Sequence, residues 1–414
     1  MHLQAAVTES SCVKHRGAIG NKRSSPMRIV GIQERSVAIS RYRDPSIPSG
    51  GLTTSIVAMT TDVIRAGRPV VGYGFSSIGR FAQSGLIRER FAPRLLSAGD
   101  ADLANDDGTN LDPFRAWAIM MKGEKPGGHG ERCVAIGTLD MALWDAAAKI
   151  AQVPLYRLLA KLVGDGASEA RRVRVYAGGG YHYPTDDAPR LAEEIRSLSD
   201  LGFTHMKIKI GATSLAQDIS RIEAAMRLLP GDHLAVDAMN AYDRDNSLTA
   251  ATALAARGLW WFEDICDPLD FDTLAAVAAV CTRPIAAGEA LFSEAEARLL
   301  NRHGGLRRDR DLLLFDPVHC YGLPGYLRII TALEAGGWQR SAFWPHGGHL
   351  FCLHLVSALG LGGAEVNPPC FAPFGGLVDR AVPVDGSVAP PEIPGVGFEQ
   401  KADLHKLFET LLCD

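Results

Sequence analysis

Between positions 27 and 75 apolar and polar residues alternate in "RIVGIQERSVAIS", "LTTSIVAMTTD" and "RPVVGYGF". That period of two is the signature of strands with one buried face, and it predicts a small antiparallel sheet. Helical spacing follows in "LIRERFAPRLLSA", "LDPFRAWAIMMKG" and "CVAIGTLDMALWDAAAKIAQ". Together these stretches predict an α+β domain over 27–170. From "RRVRVYAGGGYHYP" onward the pattern changes. Short apolar runs, among them "HMKIKIG", "LAVDAMN", "LWWFED" and "LLLFDP", alternate with amphipathic segments such as "RLAEEIRSLSDLG" and "GYLRIITALEAGGW". Apolar strands interleaved with helices are the mark of a parallel α/β architecture.

The single charged residues closing these runs form a ladder. Lys207 and Lys209 sit two apart on one strand and so share a face. Asp237, Glu263, Glu289, Asp316 and His346 then follow one another at steps of 26, 26, 27 and 30 residues. One βα unit takes about 30 residues. The ladder therefore places one polar group at the carboxyl end of each successive strand, where a closed (β/α) barrel keeps its chemistry. The expected fold is a TIM-type (β/α)7β barrel over 171–380, with Tyr176 and Gly178 also at its mouth. The α+β domain of 27–170 caps the barrel, and a C-terminal segment, 381–414, packs back on that cap. Residues 1–26 are polar and precede a second Met at 27; they read as a disordered extension.

Composition narrows the class. The 43 basic and 47 acidic residues leave a net charge of −4 with no long run of one sign, which argues against nucleic acid or an anionic membrane as partner. No apolar stretch reaches the roughly 18 residues of a membrane span. The eight cysteines are scattered without a CxxC pair, which suits reduced thiols in the cytoplasm rather than a disulfide or zinc framework.

Three carboxylates on consecutive strand ends, Asp237, Glu263 and Glu289, would repel one another at a partly desolvated site unless a hard divalent cation joined them. An all-oxygen donor set favours Mg²⁺, with Mn²⁺ as a substitute, over zinc. Lys207 and Lys209 would each disfavour the other's ionisation, leaving one amine neutral often enough to act as a base. Asp316 could hold the His346 imidazole and raise its pKa. The loop "GEKPGGHGER" lies in the capping domain; its Lys125 is a candidate to meet an acidic ligand over the mouth. His319, His349 and His354 read as structural.

The series KxK, Asp, Glu, Glu, Asp, His behind an α+β domain resembles the mandelate racemase subgroup of the enolase superfamily. Within it, the stretches "VVGYGF", "GLIRERFA", "EKPGGHGER", "WDAAAKIA", "RDRDLLLFD", "PHGGH" and "IPGVGFE" resemble the D-tartrate dehydratase family. The resemblance implies one Mg²⁺ per subunit on Asp237, Glu263 and Glu289, holding a substrate carboxylate and stabilising an enediolate. It implies Lys209 as the base that takes the α-proton, with Lys207 beside it neutralising charge and contacting substrate. It implies His346, backed by Asp316, as the acid on the departing 3-hydroxyl, and Lys125 on the distal carboxylate. The implied reaction is D-tartrate to oxaloacetate plus water, in a homo-oligomer acting on a small hydroxy acid. One departure is local: Met239 intervenes where the subgroup has Asn two places after the first metal ligand, so Asn240 is displaced by one. The residues leave two other readings open, a racemase or epimerase of a 2-hydroxy acid on the same site and a non-catalytic barrel that only binds.

Overall fold

The computed structural model describes residues 27–42, 44–164, 166 and 170–413; the extension expected over 1–26 lies outside them. Strands Ile29–Ala38, Thr53–Arg65 and Arg68–Phe75 form an antiparallel sheet in chain order. Against it lies the long helix Glu131–Ile150, almost wholly buried. Small residues make that contact possible: a Cβ on Gly72 would fall 2.1 Å from the Ala142 carbonyl oxygen, and one on Gly74 2.4 Å from that of Thr138. The other side of this helix is equally close to the barrel, where a Cβ on Gly137 would strike the Val318 carbonyl. A helix covered on both sides has no polar face, and its sequence accordingly reads apolar nearly all round.

The second architecture is a curled parallel sheet. Its strands Val173–Gly178, Met206–Lys209, Leu234–Asp237, Phe262–Glu263, Ile285–Ala287 and Leu312–Leu313 pair in chain order, and Ala364–Val366 pairs with the first. Residues 343–345 fill the seventh position. Phe343 bridges Leu313 in parallel, and Gly362 N–H donates to the Phe343 carbonyl at 3.0 Å. Seven helices connect the eight positions, so the (β/α)7β barrel expected from the ladder is the fold observed. Local chemistry starts several helices: the side chains of Ser214, Asp243, Asp270 and Ser293 each accept a backbone N–H in the first turn.

Tyr176, Trp261 and Trp344 pack with Ala235, Ala286 and Leu314 inside the barrel. Tyr176 therefore belongs to the filled interior, not to the mouth, whereas Gly178, two residues on, lines the cavity above. At the C-terminus Ser387–Val388 pairs antiparallel with the first barrel strand. The helix Ala402–Glu409 reaches the cap sheet, where Phe408 stacks on Tyr73 with centroids 4.8 Å apart. Among the described residues no helix is long and apolar enough to cross a membrane.

Candidate active site

Parallel pairing sets the ladder in register. Lys209 lies beside Asp237, and Asp237 beside Glu263. Glu289 stands two residues past the end of its strand, on the loop that follows Ala287. One oxygen from each of Asp237, Glu263 and Glu289 lies within 4.8 Å of the others, with Asp237 and Glu263 buried and Glu289 half-buried. Burial first, then the neighbouring Asp237 and Glu289 charges, push the Glu263 carboxyl up to about 8 against the pull of Lys207. Carboxylates this close disfavour one another's ionisation, and their all-oxygen donors suit a hard divalent cation.

The lysines depart from the sequence expectation. Burial works against their charge, but the carboxylates outweigh it and raise the pKa of both. Lys207 is buried, paired with Glu263 and 3.1 Å from Glu365. Lys209 is half-buried at the cavity wall and paired with Asp237. Repulsion between the two ammonium groups is the smaller effect here because each has its own carboxylate. A cation drawing on Asp237 and Glu263 would remove that hold.

His346 occupies the opposite flank of the ladder. Its Nδ1–H donates to Asp316 Oδ2 at 2.9 Å, and its Nε2 stands 3.6 Å from Glu289. Burial would lower the imidazole's pKa, but the Glu289 charge and the Asp316 hydrogen bond hold it up at about 9. Asp316 stays ionised, since its imidazole neighbours and the backbone N–H groups of Val318 and His319 outweigh its burial. His319 and His349 are more involved than their sequence positions suggested. His319 Nδ1 is 3.7 Å from Asp316, and His349 Nε2 is 3.0 Å from Ser77 Oγ, itself bonded to Asp316. His354 is structural: Nδ1 accepts from Tyr156 N–H and Nε2 donates to the Val396 carbonyl, both at 3.0 Å.

Lys125 is not brought to this site. It is exposed, and its loop is tied down elsewhere, with Arg132 donating to the Lys125 carbonyl and Glu124 meeting Arg90 and Arg94. The cap's cations at the cavity are Arg41 and Arg80 instead. The cavity holds about 250 Å³ and is floored by Lys209, Glu289, His346 and Glu365. Glu365 was missed in the sequence although it is the lone charge in the apolar strand Ala364–Val366. The Met239 departure is absorbed by a tight turn: Met239 and Asn240 both have left-handed backbone, with φ 50° and 58°. Met239 N–H donates to Asp237 Oδ1 at 2.7 Å, and Asn240 Nδ2 reaches the buried Asp264 at 3.3 Å.

The family profile of the mandelate racemase/muconate lactonizing enzyme N-terminal domain matches residues 71–160, and that of the Enolase C-terminal domain-like family matches residues 190–404, over half of the chain. The chain belongs to the mandelate racemase/muconate lactonizing enzyme group of the enolase superfamily. It is 29% identical to an arabinonate dehydratase of Saccharolobus solfataricus over 287 residues, covering 68% of this chain and 74% of that protein. It is also 29% identical to an L-talarate/galactarate dehydratase of Salmonella typhimurium over 310 residues, 73% of this chain and 71% of the other. Among solved structures, an L-talarate dehydratase from Polaromonas sp. JS666, complexed with Mg and L-glucarate, is 26% identical. It superposes with a TM-score of 0.67 over 90% of this chain and 94% of its own. Relatives in this group thus include dehydratases, and others are cycloisomerases of acid-sugar derivatives.

Proposed function

We propose that this enzyme is a Mg²⁺-dependent hydro-lyase of a hydroxy acid, and that its substrate is D-tartrate, converted to oxaloacetate and water. The observation that carries the reaction class is the convergence of Lys209 and His346 on one cavity, from the second and seventh strand positions, with the carboxylate triad between them in strand order. The D-tartrate reading rests on the quoted stretches of sequence alone.

Asp237, Glu263 and Glu289 hold the cation. Held there, the cation would offset the negative charge that builds on the substrate carboxylate, and the carboxylates it occupied would no longer keep the lysines charged. Lys209 takes the proton from the carbon next to that carboxylate. Lys207, fixed by Glu365, supplies positive charge beside the developing enediolate. His346 starts protonated, oriented through Nδ1 by Asp316, and delivers its proton to the departing hydroxyl, which leaves as water. The remaining enol tautomerises to the keto acid, and solvent resets both groups. The seven free thiols among the described residues suit a reducing compartment, and we assign the enzyme to the cytoplasm.

The test is incubation with Mg²⁺ and a panel of aldonates, aldarates and D-, L- and meso-tartrate, scoring 2-keto acid with a carbonyl reagent. Keto acid from D-tartrate, lost in Lys209→Ala and His346→Ala, would support both the substrate and the two roles. Keto acid only from another acid would discard the substrate and keep the reaction. Exchange of the α-proton with solvent deuterium, without keto acid, would replace dehydration by racemisation.

A further inference from the structure

Among the described residues the cap lines the cavity wall with two arginines, Arg41 and Arg80, and with no acidic residue. Arg80 follows Gly79, whose backbone is left-handed at φ +86° and whose Cβ, if it had one, would sit 3.9 Å from His346 Cε1. The turn therefore lies directly over the catalytic imidazole, and glycine's freedom at that φ is what lets it do so. Arg80 is held by stacking, 4.6 Å above the Phe292 ring, and Phe292 in turn packs edge-on to His319. Among the described residues neither Arg41 nor Arg80 hydrogen-bonds or ion-pairs with a carboxylate, whereas Arg28, Arg90, Arg190, Arg221, Arg298 and Arg307 all do. The acids on the cavity floor are already engaged: Glu365 by Lys207, and Glu289 within the triad, 3.6 Å from His346. Two cap arginines thus line a small cavity, and among the described residues no carboxylate pairs with either of them.

We infer that Arg41 and Arg80 form a second anion subsite that recognises a carboxylate at the far end of the substrate, so that the enzyme selects hydroxy-diacids over the corresponding monoacids. This rests on the dehydratase reading for its first carboxylate and goes beyond it in assigning the second. Sequence likeness does not make this choice, since relatives at the same 29% identity act on a monoacid, arabinonate, and on diacids, talarate and galactarate. The planar fork of arginine pairs with a carboxylate through two parallel hydrogen bonds, and it cannot do so with the terminal hydroxymethyl group of an aldonate.

Galactarate and galactonate differ only at that end, which makes them the probe pair, with D-tartrate beside them. With Mg²⁺, the wild type should favour galactarate or D-tartrate over galactonate. Arg80→Gln and Arg41→Gln should raise KM for the diacid by about 10- to 100-fold, the range for losing a charged hydrogen bond, and leave the monoacid within about threefold. Arg80→Lys, which keeps the charge and loses the fork, should fall between. Equal losses for diacid and monoacid, or a wild type that prefers galactonate, would overturn the subsite. Calorimetric binding of the same acids to Mg²⁺-loaded Lys209→Ala protein decides the matter separately from turnover. A diacid preference there that vanishes in Lys209→Ala/Arg80→Gln supports the subsite even if no acid is dehydrated; equal binding of both acids refutes it even if dehydration is found.

Discussion

Ser77 donates a 2.6 Å hydrogen bond to Asp316 Oδ2, the same oxygen that accepts His346 Nδ1–H at 2.9 Å. The cap thereby reaches through one hydroxyl to the carboxylate that orients the candidate acid. Ser77 has only one proton and gives it to Asp316, so its contact with His349 Nε2 must be donated by the imidazole. Gly347 leaves room for this arrangement, since a Cβ there would fall 2.7 Å from His349 Nε2 and 3.0 Å from Ser77 Oγ.

Removing that hydroxyl should loosen Asp316 without touching the metal ligands. A hydrogen bond to a charged group contributes about 1.5–3 kcal/mol, so Ser77→Ala should lower kcat by about tenfold or more while KM changes little. Ser77 has a left-handed backbone, φ 57°. Ser77→Gly relieves that conformation yet also lacks the hydroxyl, and it should lose as much kcat as Ser77→Ala. Full activity in the glycine variant would show that the hydroxyl is dispensable.

Cation binding should stabilise the fold. Glu263 is fully buried among like charges, and a ligand that binds only the native state adds about 2.7 kcal/mol at a hundred times its Kd. Thermal unfolding with and without Mg²⁺ should therefore show a higher Tm with the ion, removed by EDTA. Glu263→Gln should abolish the shift. Lys209→Ala, which takes away the base and leaves all three ligands, should keep it. A Tm indifferent to Mg²⁺ in the wild type would remove the metal assignment.

The ladder from Lys207 to His346 was legible because a βα unit has a nearly fixed length, so spacing alone carries a residue to a strand end. Period-two reasoning was less secure beside the glycine run. Tyr176 and Gly178 share one face of the first strand, but the layer, mouth or filled interior, depends on strand tilt, which spacing does not record. Glu365 carried a usable signal as the one charge in an apolar strand. Where Arg41, Arg80 and Ser77 lie over the barrel could not be read from spacing, because loops of one domain meet the barrel of another only through tertiary packing. Lys125 failed for the same reason: its Gly- and Pro-rich loop has no periodicity, and the positions of Arg90, Arg94 and Arg132 around Glu124 decide where it lies.

The contact between the cap sheet and its long helix should tolerate no side chain at Gly74. Alanine there would bring its methyl 2.4 Å from the Thr138 carbonyl oxygen and 3.0 Å from the Ala142 nitrogen, so helix and sheet would have to part. Overpacking of this kind costs about 1–3 kcal/mol or more. Gly85 is the contrasting case, since it is helical, with φ −63°, and open on the side where a Cβ would project. Gly85→Ala should stabilise by about 0.5–1 kcal/mol. Denaturant unfolding of the two variants checks both signs, and a neutral Gly74→Ala would mean the interface is looser than its geometry.

Acid should weaken the fold through its buried imidazoles, and His354 allows the sign to be isolated. Burial pushes its pKa down to about 4, opposed in part by the bond to the Val396 carbonyl. An unfolded histidine takes a proton near pH 6.5, and the folded one refuses it until near 4. Between these values the unfolded chain holds the extra proton, so stability is full above about pH 6.5 and falls as the pH drops toward 4, by about 3 kcal/mol for this one group. His319 and His349, also pushed down to about 4 by burial, add to the same slope. His354→Gln can accept from Tyr156 N–H and donate to Val396 but cannot titrate. Measured by urea unfolding from pH 4.5 to 7.5, its stability should depend on pH less steeply than the wild type by one proton's worth. Parallel curves would show that His354 titrates alike in the folded and unfolded chain, and the acid sensitivity would then rest on the two imidazoles near Asp316.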